Sequence, residues 1–198
     1  MTFLKVRTAV WIASVVFLAA IPALGQNTPC GPRAVADSAD ALQRCLQDAL
    51  AVARRGDERR LSVLVKEMEI PNYREWFTAT YGRAGSLFAD AYAVKLSEQD
   101  MARVHMLEAT ARNMKRSRTK TVLIRKVNDA PDEGDPFETN AIKNLQRPVN
   151  LFAAYYSGSH APNRNIIGYF VYVDGRFRWQ SGFVEDAVTH RIIVDTGH

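Results

Sequence analysis

The chain has 198 residues, of which 47% are hydrophobic and 24% are charged. This composition is typical of globular proteins and excludes a disordered or low-complexity chain, and the length suits one domain with a substantial core. The 26 lysines and arginines exceed the 21 acidic residues by five, a mild positive charge that does not require a nucleic-acid partner.

The first 25 residues predict a cleavable signal peptide. Two basic residues and no acid precede an apolar run over residues 9–21, and Pro22 ends that run. The small residues that follow Pro22 suit cleavage by signal peptidase. The apolar run is shorter than the roughly 20 residues of a membrane span, although an uncleaved N-terminal anchor stays the alternative. We expect an exported protein, periplasmic or secreted. Its mature chain, residues 26–198, keeps 24 basic and 21 acidic residues and no integral membrane segment.

Cys30 and Cys45 both lie in the predicted mature chain. Two cysteines in an exported protein favour a disulfide. This one would close a loop with 14 intervening residues, a stabilisation of about 3 kcal/mol from chain entropy. The spacing contains no CxxC and no nearby histidine, so no metal site is expected. Two free buried thiols are the alternative.

The N-terminal half of the mature chain predicts five helices, because apolar residues recur at steps of three and four. Cys45 lies on the apolar face of the first helix, where a disulfide would attach the N-terminal lead-in to the core. The predicted helices run over Asp37–Gly56, Glu58–Met68, Pro71–Gly82 and Ala84–Leu96, and then from a capping box of Ser97 and Asp100 through Met114.

The pattern then changes to strands, with one short helix predicted over Phe137–Leu145. Asp174-Gly175 favours a type I′ hairpin turn. We expect an α+β fold in one mature domain, with the N-terminal helices packed on one face of a curved antiparallel sheet formed mainly by the C-terminal half. The predicted strands are Thr119–Val127, Val149–Ser157, Asn165–Asp174, Arg176–Gln180 and Arg191–Asp195.

None of the four histidines forms a recognisable catalytic or zinc motif. His105 lies beside the apolar stripe of a helix, and His160 follows Ser159 in a turn-like loop that is not a G-x-S-x-G elbow. His190 and His198 have no zinc-binding spacing. We therefore nominate no catalytic residue, metal or cofactor, and a small hydrolase or isomerase using His160 or His105 is the least favoured class.

Two clusters of charge flank the first strand. The acidic residues suit a hard cation only weakly, since their spacing differs from an EF-hand, and we expect a solvated loop. The basic residues are favoured by the helix dipole at a C-terminus, or they form a patch for anionic lipid head groups or a negatively charged partner. The acidic set is Asp129, Asp132, Glu133, Asp135 and Glu138, and the basic set is Arg112, Lys115, Arg116, Arg118 and Lys120.

Aromatic residues are plentiful on both the helices and the strands. Tyrosine and tryptophan suit the wall of a pocket between sheet and helices, since each combines an apolar face with a polar tip. The ligand-binding candidates are Trp76, Tyr81, Tyr92, Tyr155, Tyr169 and Trp179.

The aromatic hairpin Tyr169–Trp179, which reads YFVYVDGRFRW, resembles the last strands of the nuclear-transport-factor-2-like α+β superfamily. It also looks like the endings of uncharacterised exported bacterial domains. The resemblance covers about the last third of the chain, and the five preceding helices depart from the usual layout. It implies a curved sheet around a pocket, in a superfamily that includes isomerases, dehydratases and binding modules.

These observations favour an exported, non-catalytic binding domain whose aromatic pocket takes a small apolar molecule or a lipid. The alternative is an envelope protein–protein interaction module that acts through the charged patches. We expect no nucleic acid as a partner.

Overall fold

The protein is described by a computed structural model that covers residues 36–98, 100–119, 121–156 and 165–180. Within these ranges the chain is α+β, as predicted, with six helices and one sheet of four antiparallel strands. The helices are α1 (Ala39–Arg55), α2 (Glu58–Glu67), α3 (Tyr73–Tyr81), α4 (Arg83–Glu98), α5 (Asp100–Arg116) and α6 (Pro136–Asn144). The strands are β1 (Val122–Lys126), β2 (Leu151–Tyr156), β3 (Asn165–Val173) and β4 (Arg176–Trp179).

Several predicted features lie outside the described residues, and they stay predictions. They are the signal peptide, the loop around His160, the strand Arg191–Asp195, and the individual residues Cys30, Lys120, His190 and His198. Because Cys30 is among them, the predicted disulfide also stays a prediction, and its partner Cys45 is buried on the apolar face of α1. Among the described helices, none is both long and apolar enough to cross a lipid bilayer.

Local sequence signals set the ends of the helices. Ser38 caps α1 by accepting a hydrogen bond from the Ala41 amide at 3.3 Å, and Gly56 ends the helix in the left-handed conformation. The prediction that Pro71 opens the third helix is wrong. Asn72 stands at the N-cap of α3 with φ of 47°, so the proline lies outside the helix.

The four strands follow one another across the sheet in the order β1-β2-β3-β4. Asp174 and Gly175 join β3 to β4 with φ values of 52° and 76°, and two positive values agree with the predicted type I′ turn. Ala154 pairs with Gly168 and Tyr155 pairs with Ile166, which leaves Ile167 as the extra residue of a β-bulge. A bulge increases local twist and bends the strand.

Helices cover both faces of the sheet, so the expectation that they pack on one face is wrong. All six residues of β2 are buried. Phe152, Ala154 and Tyr156 join a first core with α1, α2 and α5, while the alternate residues of β2 join a second core with α3, α4 and α6. The continuous apolar run of β2 is the signature of a strand that is buried on both sides.

The outer edge of β4 is closed by the turn that follows α2. The Trp179 amide donates to the Met68 carbonyl at 2.7 Å, and Arg178 Nη1 donates to the carbonyls of Glu67 and Glu69 at 2.6 and 2.9 Å. Unpaired edge strands invite aggregation, so these contacts protect the sheet while anchoring the start of α3 beside it.

Gly85 allows α3 and α4 to pack with their backbones in contact. A methyl group at this position would lie 2.1 Å from the Phe77 carbonyl oxygen and 2.7 Å from Thr78 Cα. Both atoms belong to the backbone, so a side chain here cannot be accommodated by a rotamer change.

We predict that Gly85→Ala lowers the free energy of unfolding by at least about 2 kcal/mol, because it overpacks the second core. Gly134→Ala is the matched control, since the added methyl group would meet only the Asp132 side chain at 3.3 Å. Urea unfolding measures both variants. Equal stability of the two would contradict the close packing of α3 on α4.

Candidate functional site

The six aromatic residues nominated as ligand contacts are core residues, each at most 8% exposed. Five belong to the second core, and Trp179 belongs to the first. Three of the hydroxyl groups have partners inside the protein: Tyr81 accepts from Gln180 Nε2 at 2.6 Å, Tyr92 accepts from the Ile70 amide at 2.9 Å, and Tyr169 donates to Asp135. A pocket built from all six stays a prediction.

Arg103 connects the two cores where α4, α5 and β4 approach. It is 3% exposed, and its guanidinium carbon lies 5.5 Å from the Tyr92 ring centroid and 5.9 Å from that of Trp179. Stacking of a guanidinium on aromatic faces stabilises the buried cation. Arg103 therefore contributes to packing among the aromatic residues that were nominated as ligand contacts.

Part of the acidic cluster is a buried network, although we expected a solvated loop. Glu138 is 1% exposed, accepts from Arg125 Nη2 at 2.5 Å and accepts from the Asp132 amide at 2.7 Å. Asp135 caps α6 through the Phe137 amide at 2.9 Å and accepts a hydrogen bond from the Tyr169 hydroxyl. The network ties the loop and α6 to the sheet, which indicates a structural role for these charges.

Burial raises the pKa of three tyrosines that face the cores. Loss of solvent raises the pKa of Tyr169 well above its ordinary value, and the carboxylate of Asp135 raises it further. Burial likewise raises the pKa of Tyr81 and that of Tyr92. All three are therefore neutral donors or acceptors at physiological pH. Within the described residues, no group of three or more His, Cys, Asp or Glu side chains could hold a metal ion.

A basic groove lies between the end of α1 and one face of α5. Its volume is about 520 Å³, and it contains four cations, one carboxylate and the small side chains of two buried alanines. The groove is lined by Ala53, Arg54, Arg55, Gly56, Glu108, Ala111, Arg112 and Lys115, and this set is called the basic groove below. Its volume is within the range of small-molecule and peptide sites.

Only part of the basic cluster predicted from the sequence lines the basic groove. Arg112 and Lys115 line it, while Arg116 and Arg118 are exposed outside the lining. Sequence reasoning missed Arg54 and Arg55. Their position in the last turn of the first predicted helix was the available signal, but nothing in the sequence placed that turn beside Arg112.

His105 lies on the exposed surface of α5 beside the basic groove. Its Nδ1 is 3.5 Å from Glu108 Oε2, and Arg112 Nη1 is 3.9 Å from the same oxygen. The His105 side chain is 63% exposed, which agrees with the expected position flanking the core stripe. Both contacts are longer than a charge-assisted hydrogen bond, so Glu108 holds neither side chain in a fixed position.

A second, smaller cavity of about 290 Å³ lies beside the N-terminus of α3. The indole of Trp76 forms part of its wall, with the Arg147 guanidinium carbon 5.7 Å from the ring centroid. Arg147 Nε also donates to Thr80 Oγ1 at 3.0 Å, which fixes the side chain against α3. The cavity is lined by Pro71, Asn72, Glu75, Trp76, Ala79, Arg147, Val173 and Asp174, and it is called the Trp76 pocket below.

Comparison of the chain with protein-family models, with curated proteins and with solved structures finds no match. The likeness of the last strands to the nuclear-transport-factor-2-like superfamily therefore stays a prediction.

We predict that Glu138→Gln lowers the free energy of unfolding by about 2–4 kcal/mol, because it leaves the largely buried Arg125 without its counter-charge. Asp90→Asn is the matched control, since it breaks the exposed pair with Arg74 and should change stability by less than about 1 kcal/mol. Chemical denaturation checks both values, and similar losses would contradict the buried network.

Alkaline pH should destabilise the fold through the buried tyrosines. The pKa values of these tyrosines in the folded protein are raised above the value of about 10 in the unfolded chain. Their contribution to the free energy of unfolding is therefore complete below about pH 10. It is lost as the pH rises further, because the unfolded chain releases the hydroxyl protons first. Urea unfolding at about pH 8 to 11 should show stability falling above about pH 10. Tyr169→Phe should reduce the slope, and an unchanged slope would contradict the raised pKa of Tyr169.

Proposed function

We propose that the protein is a non-catalytic binding module that recognises an anionic partner through the basic groove. The observation that carries this proposal is the convergence of four cations from two helices on one concave surface that contains a single carboxylate. Clefts lined by one sign of charge concentrate the electrostatic field and attract ligands of opposite charge.

The side chains of the basic groove suit carboxylate or phosphate groups. Arg54, Arg55 and Arg112 each offer a planar fork of donors that binds such groups in bidentate fashion. Arg54, Arg55 and Lys115 form no ion pair within the described part of the chain, and the single contact of Arg112 is 3.9 Å long. The donors are therefore available to a ligand without breaking a short internal salt bridge.

The floor of the groove adds shape to this charge. Ala53 is 8% exposed and Ala111 is 2% exposed, and their small side chains leave space between the cationic walls. An extended acidic segment of a protein can place its backbone over the alanines and its carboxylates beside the arginines. This arrangement supports the interaction-module class of function over a lipid-binding cavity, because the nominated aromatic residues are packed in the cores.

The sequence predicts a signal peptide over residues 1–25, and we combine that prediction with the groove: the proposed protein is an exported module that docks an acidic segment of another envelope protein. Helix dipoles already account for some cations near the ends of α1 and α5. They do not account for the meeting of Arg54 and Arg55 with Arg112 and Lys115 around a shared groove.

We predict that the double charge reversal Arg112→Glu/Lys115→Glu weakens binding of a fluorescent oligoglutamate peptide by at least about tenfold. Opposite charges attract at short range, so binding of the unchanged protein should also weaken as salt is raised from about 0.05 to 0.5 M. Fluorescence anisotropy measures both effects.

The matched control is Arg83→Glu/Lys143→Glu, which makes the same change in net charge at two exposed positions outside the groove. It should keep nearly the full affinity. Equal weakening by the two double variants would show that only net charge matters, and the proposed groove would then be wrong. Thermal unfolding of each variant verifies that the fold is retained.

A further inference from the structure

The Trp76 pocket is a second concave site, separate in its lining residues from the basic groove. Three charged side chains line it: the cation Arg147 and the carboxylates of Glu75 and Asp174. Within the described residues none of the three forms an ion pair with another or with a neighbour. Opposite charges therefore line one small cavity without neutralising each other across it.

Three parts of the chain bring these charged residues together around the cavity. Glu75 belongs to the first turn of α3, and Asp174 is held at the tip of the β3–β4 hairpin with φ of 52°. Arg147 is fixed by its hydrogen bond to Thr80 and by stacking on Trp76. The backbone also anchors this segment, since the Gln146 amide donates to the Thr80 carbonyl at 2.8 Å. The Arg147 guanidinium is thus positioned before any ligand arrives, which lowers the entropy cost of binding.

The remaining lining is apolar or neutral. Pro71, Ala79, Val173 and the indole of Trp76 offer an aliphatic and aromatic surface, and the Asn72 side chain makes no capping bond to α3. A volume of about 290 Å³ is at the small end of ligand pockets and suits a metabolite rather than a long chain.

We infer that the Trp76 pocket binds a small zwitterion that carries an additional ammonium group, that is, a free diamino acid such as lysine. Its α-carboxylate pairs with Arg147, its two ammonium groups pair with Glu75 and Asp174, and its methylene chain packs against Trp76. One cation and two carboxylates in the lining match one carboxylate and two ammonium groups in the ligand. This inference does not depend on the anionic partner proposed for the basic groove.

The inference is tested by isothermal titration of the mature protein with L-lysine, with two analogues of lysine and with one unrelated neutral compound, each at concentrations up to about 10 mM. L-Norleucine lacks the side-chain ammonium group, cadaverine lacks the carboxylate, and glucose is a neutral molecule with many hydroxyl groups. We expect saturable binding of lysine, with norleucine and cadaverine each weaker by about tenfold or more, because each loses a charge-assisted contact. Absence of saturable lysine binding, tighter binding of glucose, or equal affinity for lysine and either amine analogue overturns the inference.

Variants assign the contacts within the pocket. Glu75→Gln preserves the shape of the side chain and should weaken lysine binding by about tenfold, while Glu133→Gln, at an exposed position of the acidic loop, should not. Arg147→Gln should weaken binding of lysine much more than binding of cadaverine, which has no carboxylate to lose. Equal effects of Glu75→Gln and Glu133→Gln, or an equal loss for both ligands with Arg147→Gln, would overturn the assignment. Matching thermal unfolding of all variants shows that a loss reports on the pocket and not on folding.

Discussion

Burial of β2 on both faces is the constraint on which the rest of the fold depends. A strand with no exposed side chain needs a hydrophobic layer above and below it, and the six helices supply those layers. Helices α1, α2 and α5 cover one face, and α3, α4 and α6 cover the other. The chain must therefore cross the edge of the sheet between α2 and α3, and it does so where Met68 pairs with Trp179 and closes the β4 edge.

The same constraint explains the charged residues that are found inside the protein. Covering the second face with α6 brings Glu138 and Asp135 against β1 and β3, where carboxylates are costly unless they are paired. Arg125 and Tyr169 supply the partners from the sheet. The cluster thus allows a polar loop to seal an apolar core, and its groups interact with one another and not with a cavity.

Local elements could be read from the sequence, because capping residues, periodicity and turn dipeptides act over a few neighbours. Gly56 and Asp174-Gly175 both do in the structure what their residue types predict. Long-range placement could not be read. The apolar run of β2 indicates that both faces of the strand are covered. No local feature of the sequence, however, indicates which helices lie on which face. For the same reason the sequence does not show that Trp179 belongs to a different core from the other five nominated aromatic residues, or that Arg54 and Arg55 lie beside Arg112.

The aromatic residues nominated as ligand contacts pack in the two cores, and the two cavities described above differ in electrostatic character. The basic groove is dominated by one sign of charge and lies on α1 and α5, over the first core. The Trp76 pocket balances opposite charges and lies on α3 and the β3–β4 hairpin. A polyanion attracted to the first is not favoured by the two carboxylates of the second, and a basic amino acid is repelled by the four cations of the first. The sheet that separates the two cores also separates the elements that carry the two cavities, so the two proposed ligands would bind to different helices without competing for the same residues.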